Sequence, residues 1–462
     1  MKKIVLFLSI LFVSVQFAHP KVTLPAILGD NMVLQQQTST KLWGTANPNG
    51  IITVQTSWDM KKYQSKADQA GKWILSVNTP KAGGPFKITI SDGEALTLNN
   101  VLIGEVWFCS GQSNMEMPVA GFSRQPVEGN NEVILHSKPS IPIRVFNTEK
   151  KKTPEIQTDC VGAWRENRPE VVARTSATAY FFAKYLQEIM DVPVGIIVSA
   201  WGGSRVEPWM TAESLEPFRQ SDPTALPKNA GETYNAMVAP IINYHIKGMI
   251  WYQGESNRDN PNFYGRLMQG FVKGLRKAWG VGDFPFYFAQ IAPFIYEGAD
   301  SISGALLREA QYKNMTEIPN SGMVSLMDVG ELNSIHPAKK EPVGRRLAYW
   351  ALAKDYGFKE FSFCGPVLKS MEVEGNKAFV TLTAKGGVYT KEKEISGFEL
   401  AGEDKIFYPA KAVHEPRGGK IAIVSEKVPN PVAVRYAFKN YTVGSIYDSY
   451  GNPASSFRTD QW

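Results

Sequence analysis

The residues that could do chemistry in this 462-residue chain gather where apolar runs stop. The run built from Val101, Leu102, Ile103, Val106, Trp107 and Phe108 ends abruptly at Ser110-Gly-Gln-Ser-Asn114. A buried strand followed by small polar residues delivers a hydroxyl to the carboxyl end of a sheet, where open α/β folds keep their sites. Gly111 permits a turn that a residue with a Cβ resists, so Ser113 is a candidate nucleophile on a sharp strand-to-helix turn. Met115 stands where a Gly-x-Ser-x-Gly elbow needs its second glycine, which excludes that motif. The same stretch also fits an ordinary turn or helix cap.

Three further apolar runs end in unusual residues. After Val198 come Ser199-Ala-Trp-Gly-Gly-Ser-Arg-Val-Glu207, and after Ile250 come Trp251-Tyr-Gln-Gly-Glu-Ser-Asn257. After Met327 come Asp328-Val-Gly-Glu-Leu-Asn-Ser-Ile-His336 and then Pro337. Strands of one parallel sheet place all three on the edge that carries Ser113. Acyl transfer needs a nucleophile, a base and donors for an oxyanion. Glycine N–H groups and amide side chains can supply those donors. Five histidines compete for the role of base. His19 falls at the end of the N-terminal apolar segment, His414 in a β-rich tail, His136 in a loop, and His245 ahead of a strand. Only His336 follows a parallel strand and precedes a helix, which makes it the candidate base.

The elements that must position these residues follow from periodicity. Residues 21–100 predict a small β-sandwich, with strands at Val22–Leu24, Ile51–Val54, Lys72–Val77 and Phe86–Ile90 separated by Gly/Pro/Asn turns. Residues 101–358 alternate strands with helices and predict a parallel sheet covered on both faces. The helices are expected from a Ser176 cap through Ile189, from Phe263 to Trp279, from Leu306 to Met315 and from Pro342 to Lys354; the last strand runs over Met323–Met327. Residues 359–462 return to a strand pattern. Lys2-Lys3 ahead of the apolar run Ile4–Val13 predict a signal peptide over 1–20, since a membrane span needs roughly 20 apolar residues. The expectation is an exported protein with no membrane insertion after signal removal. Hydrophobic content of 43%, charged content of 20% and a dispersed net charge of +6 describe an ordinary globular chain. The densest basic run, Lys150–Lys152, is flanked by acids and gives no nucleic-acid pattern. Three cysteines form neither a disulfide framework nor a metal-ligand spacing, and acyl transfer by a serine and a histidine needs no metal or cofactor.

Cys109-Ser-Gly-Gln-Ser-Asn-Met, Trp201-Gly-Gly-Ser-Arg-Val-Glu-Pro-Trp, Trp251-Tyr-Gln-Gly-Glu-Ser-Asn and Ile335-His-Pro, in this order, resemble the sialate O-acetylesterase family of SGNH hydrolases. The resemblance extends to Asn235-Ala-Met-Val-Ala-Pro, Val343-Gly-Arg-Arg-Leu-Ala and Pro453-Ala-Ser-Ser-Phe-Arg. It implies a flavodoxin-like α/β/α catalytic domain embedded in β-sandwich material, with Ser113 as nucleophile and His336 as base. It maps the oxyanion glycine to Gly203 and the amide donor to Gln253, with Asn257 as the alternative. One departure stands out. The SGNH pattern places Asp three residues before the histidine, and this chain has Asn333 there. An amide orients an imidazole without stabilising its charge, so a Ser-His dyad with a neutral acceptor is expected, with Asn333, Glu331 or Asp328 near the ring.

The implied reaction is removal of O-acetyl groups from an acetylated sugar, sialic acid first, with acetylated xylan or another polysaccharide as the alternative. A non-catalytic carbohydrate-binding protein is the competing class. A sialate carboxylate calls for a bidentate arginine, and Arg205 and then Arg258 are placed for it. Trp107, Trp201, Trp209, Trp251 and Tyr252 are candidate aromatic walls for sugar faces.

Overall fold

The computed structural model describes residues 22–222, 224–415 and 419–462, so the expected signal peptide lies outside the described residues. The fold grows from one strand, β1 (Ala95–Gly111), which is 17 residues long. Its first half alternates exposed and buried side chains and pairs antiparallel with Gly83–Ser91. From Val101 onward every residue is buried, as a strand covered on both faces requires. The expected domain boundary after Asn100 therefore falls inside a continuous strand that both units share. Val33–Gln35 adds a short parallel contact along Leu102–Gly104.

The second half of β1 is the centre of the largest sheet. Its partners are β2 (Ile143–Asn147), β3 (Trp164–Glu166), β4 (Val194–Ala200), β5 (Gly248–Tyr252), β6 (Phe286–Ala289) and β7 (Ser321–Val324). The order is β7-β6-β5-β1-β4-β2-β3. All neighbours are parallel except β3, which runs antiparallel to β2. The carboxyl ends of β1, β4 and β5 are in register, with Gly111 opposite both Ala200 and Tyr252. The loops after them therefore emerge side by side.

Helices connect the strands: α1 (Ser113–Glu116), α2 (Ala177–Met190), α3 (Pro261–Trp279), α4 (Ser303–Glu317) and α5 (Glu341–Lys354). Strand residues alternate between two cores. Phe108, Met249, Trp251, Phe286 and Phe288 pack with α3 and α4, whereas Trp107, Ile250, Tyr252 and Tyr287 pack with α2 and α5. The stripe expected on α3 is real: Phe263, Leu267, Phe271, Leu275 and Trp279 are all buried. Asn260 Oδ1 caps its start by accepting from Phe263 N at 3.2 Å, and Gly280 at φ 64° stops it. Each such side chain contributes about 1.5–3 kcal/mol on leaving water.

Some expectations shift. The segment Val22–Leu24 makes only an isolated bridge, Thr23 to Thr45, and the strand opposite Lys72–Asn78 is Ser39–Thr45. β7 stops at Val324, three residues early, because Ser325 O accepts from Arg346 Nη1 at 3.1 Å and Met327 joins the C-terminal core. That C-terminal part holds two four-stranded sheets around Val380, Leu400, Ile423, Val434 and Tyr436. Among the described residues no helix is long and apolar enough to cross a membrane.

Candidate active site

The turn that carries Ser113 is built by close backbone approach. Gly111 has φ 149°, and a Cβ there would lie 2.1 Å from Tyr252 O. Gln112 then donates its N–H to Tyr252 O at 3.0 Å. Its side-chain Oε1 accepts from Gly254 N at 3.2 Å and Ser256 N at 3.3 Å, fastening the turn to the loop after β5. Ser113 opens α1 and is half-buried. Among the described residues neither the Ser113 N–H nor the Gly203 N–H has a hydrogen-bond acceptor. Both are left available for an oxyanion, and Gly203 at φ 72° sits in open space. Gly202 lies against Ser113: a Cβ on it would be 3.4 Å from Ser113 Cβ. Its N–H donates to Glu116 Oε2 at 2.5 Å, and the other oxygen of Glu116 binds Lys150 Nζ.

His336 arrives on the loop after β7. Asn114 Nδ2 donates to Ile335 O at 3.0 Å, so the residue after Ser113 is bonded to the residue before His336. The imidazole is half-buried and packs its ring edge-to-face with Phe122, centroids 5.3 Å apart. Its Nδ1 is 2.7 Å from Gln125 Oε1. An amide oxygen can only accept, so Nδ1 carries the hydrogen and Nε2 keeps the lone pair that a base needs. Burial and the Lys340 charge lower the His336 pKa below its ordinary value, and Glu116 opposes them. The ring is therefore neutral at neutral pH.

The expected orienting residues lie elsewhere. Asn333 is exposed, and Glu331 Oε1 accepts from Ala338 N at 2.6 Å, shaping the loop instead of touching the ring. Asp328 is paired with Arg346 at 2.6 Å. The neutral acceptor is Gln125.

The amides after β5 hold loops together. Gln253 is fully buried, and its Nε2 donates to Ser204 O at 3.2 Å and to Asn257 Oδ1 at 2.8 Å. Both amide hydrogens are thereby used, which leaves Gln253 no donor for an oxyanion. Asn257 donates to Glu207 Oε2 at 3.0 Å and accepts from Val206 N at 3.0 Å, so it holds the glycine loop and keeps one amide hydrogen to spare. Arg205 forms ion pairs with Glu207 and Asp259, each at 3.1 Å. Arg258 lies 3.6 Å from Glu297 and stacks over Tyr296. Both guanidiniums are thus already paired with carboxylates of the chain itself. Trp107, Trp209, Trp251 and Tyr252 are fully buried core residues. Of the proposed walls only Trp201 is partly exposed, with Lys150 Nζ 6.0 Å from its ring centroid.

The structure adds Gln125, Glu116, Asn114 and Lys340 to the site. Asn114 and Glu116 were in view as neighbours of Ser113. Gln125 lies in an irregular loop with no periodicity, and Lys340 follows Lys339 like half of a solvated pair. Among the described residues no three His, Cys, Asp or Glu side chains gather to hold a metal.

Residues 103–352 match the family model described as carbohydrate esterase, sialic acid-specific acetylesterase. The chain is 27% identical over 413 residues to the sialate O-acetylesterase of Homo sapiens, covering 81% of this chain and 79% of that protein. It is 26% identical over 435 residues to the sialate O-acetylesterase of Mus musculus, covering 80% of each. The crystal structure of a carbohydrate acetylesterase from Xanthomonas citri superposes with a TM-score of 0.87 at 33% identity, covering 96% of this chain and all of the other.

Proposed function

This chain belongs to the carbohydrate esterases of the sialic acid-specific acetylesterase family, and we propose that it is an exported serine esterase that releases acetate from O-acetylated sialic acid through a Ser113–His336 dyad. That it is a carboxylic ester hydrolase follows from the family. The observation that carries the mechanism is the Asn114–Ile335 hydrogen bond of 3.0 Å, which ties the residue after Ser113 to the residue before His336. Ser113 Oγ attacks the acetyl carbonyl as His336 Nε2 takes its proton. The Ser113 and Gly203 N–H groups stabilise the oxyanion. The imidazolium then protonates the departing sugar oxygen, and a water activated by the same nitrogen hydrolyses the acetyl-enzyme. The fold that goes with this mechanism is the flavodoxin-like three-layer SGNH form, supported by α3 and α4 packing on one face of the sheet and α2 and α5 on the other. Export rests on Lys2-Lys3 and the apolar run Ile4–Val13.

A second substrate reading has its own support. Arg205 and Arg258 are both occupied by internal carboxylates, which favours a neutral acetylated polysaccharide over a charged sialate. Acetate release from O-acetylated sialic acids and from acetyl-xylan, measured side by side, decides between them. A kcat/KM at least tenfold higher on sialates supports the first reading; the reverse ratio replaces it with the second.

A further inference from the structure

Lys340 is fully buried, four residues after His336 and immediately ahead of α5, whereas its neighbour Lys339 is exposed. Its Nζ donates to Asn114 Oδ1 at 2.5 Å and lies 5.7 Å from the centroid of the Tyr252 ring. Asn114, also fully buried, uses its amide nitrogen to donate to Glu255 Oε1 at 2.7 Å and Ile335 O at 3.0 Å. A cation on one side and a carboxylate on the other fix which end of this amide is oxygen. Rotating it would set two sets of N–H donors against each other and a carbonyl against a carboxylate. One side chain beside the nucleophile is thereby fastened to the loop after β5 and to the loop after β7.

We infer that Lys340 is a positioning residue of the esterase: through Asn114 and Glu255 it locks the nucleophile turn, the Glu255 loop and the histidine loop into the register in which Ser113 and His336 meet. The inference rests on Ser113 and His336 being nucleophile and base. A merely structural lysine would leave the reacting groups' titration alone, and this one does not stand apart from them. The charged groups facing His336 are Glu116 from α1 and Lys340 from its own loop, with Gln125 and Phe122 neutral beside it. Burial brings the Lys340 pKa down to about 7, although the facing Glu255 and Glu331 carboxylates act to raise it. Burial raises that of Glu255, whose carboxylate has Asn114 and Lys340 as its stabilising neighbours.

The test compares the full-length enzyme with Lys340→Met, Glu255→Gln and the double variant on a small chromogenic acetyl ester, with Ser113→Ala in parallel. The double variant leaves no uncompensated buried charge, so it keeps the comparison open where Lys340→Met alone does not fold. Lys340→Met is expected to lower kcat by about 10- to 100-fold while KM stays within about twofold, as for a group acting in the chemical step alone. The acid limb of its kcat/KM profile should move to higher pH, because a positive charge beside His336 is gone. A folded Lys340→Met, or double variant, with wild-type kcat and an unmoved acid limb overturns the inference. So does a loss that only tracks the unfolded fraction. If Ser113→Ala itself stays active, the nucleophile assignment falls and takes this inference with it; an inactive Ser113→Ala beside a wild-type Lys340→Met rejects the Lys340 role alone.

Discussion

Gln125 Oε1 accepts from His336 Nδ1 at 2.7 Å, and an amide in that place orients the ring without stabilising the positive charge that develops on it. Glu116, tied to Gly202 N, is the negative charge that favours the imidazolium, while burial and Lys340 act against it. Gln125→Leu should therefore lower kcat/KM by about 10- to 100-fold, or about 1.4–2.8 kcal/mol in the barrier; a wild-type value would remove Gln125 from the mechanism. Gln125→Glu should raise the apparent pKa of the base and move the acid limb upward. In the wild type that limb should lie below the ordinary histidine value of 6.5, because His336 is depressed. The sign follows directly: the imidazolium cannot accept a proton, so activity is lost as pH falls through the depressed pKa and is full above it. A limb centred above 6.5 would assign the base elsewhere. Ser113→Ala should lose on the order of 10⁴ to 10⁶ in kcat with its fold intact, and retention of a tenth of the wild-type rate would reject the nucleophile. Ser113 and His336 could be picked out as candidates because a polar residue after a buried run has a chemical reason to be there. Gln125 could not, since contact with His336 comes from a loop 211 positions away.

The elements were legible where one period governed them. The α3 stripe, the Ser176 cap on α2 and the strand Gly248–Tyr252 all follow local patterns that tertiary packing reinforces. Ser176 Oγ accepts from Ala179 N at 3.1 Å, as the cap required. What stayed hidden was sharing. Nothing in the pattern of Ala95–Gly111 says that one strand serves two units, because a change from alternating to continuous burial looks the same as a boundary between strands. Gly111 is where this element meets the site, and its backbone conformation cannot take a side chain. Gly111→Ala would drive a Cβ to 2.1 Å from Tyr252 O at φ 149°. Overpacking and backbone strain together should destabilise the protein by about 2–4 kcal/mol. Thermal unfolding read beside specific activity checks this: the melting temperature should fall, and the remaining folded enzyme should be impaired because the Ser113 turn has shifted. An unchanged melting temperature would mean that the β1–β5 edge yields more easily than its hydrogen bonds indicate.

At the scale of the molecule, a buried arginine joins the catalytic sheet to the C-terminal sheets. Arg308 on α4 is fully buried, and its donors reach Ser456 Oγ at 3.1 Å, Ala437 O at 3.4 Å and Lys439 O at 2.5 Å. Asn440 Oδ1 accepts from Gly304 N at 2.7 Å at the start of the same helix, and Arg458 binds both oxygens of Glu309 at 3.0 Å. No sequence period could mark this junction, because two of the three Arg308 acceptors are backbone carbonyls, which every residue carries. Burial lowers the Arg308 pKa to about 10, which still leaves it charged at neutral pH. Arg308→Met would remove that charge and leave three acceptors without their donor inside the interface. At about 1–3 kcal/mol for each buried group left unsatisfied, partly relieved by relaxation, the loss should be about 2–5 kcal/mol. Most of it should fall on the attachment of the C-terminal sheets, whose own core of Val380, Leu400, Ile423 and Val434 does not include Arg308. Calorimetry should then resolve one transition in the wild type and two in Arg308→Met, the earlier one belonging to residues after Val367. Hydrolysis of a small acetyl ester should survive the first transition, since Ser113, His336 and Gln125 all lie before it. A single transition within 1 °C of the wild type, by the roughly 2–4 °C per kcal/mol expected for units of this size, would show that the other contacts hold the two parts together without Arg308.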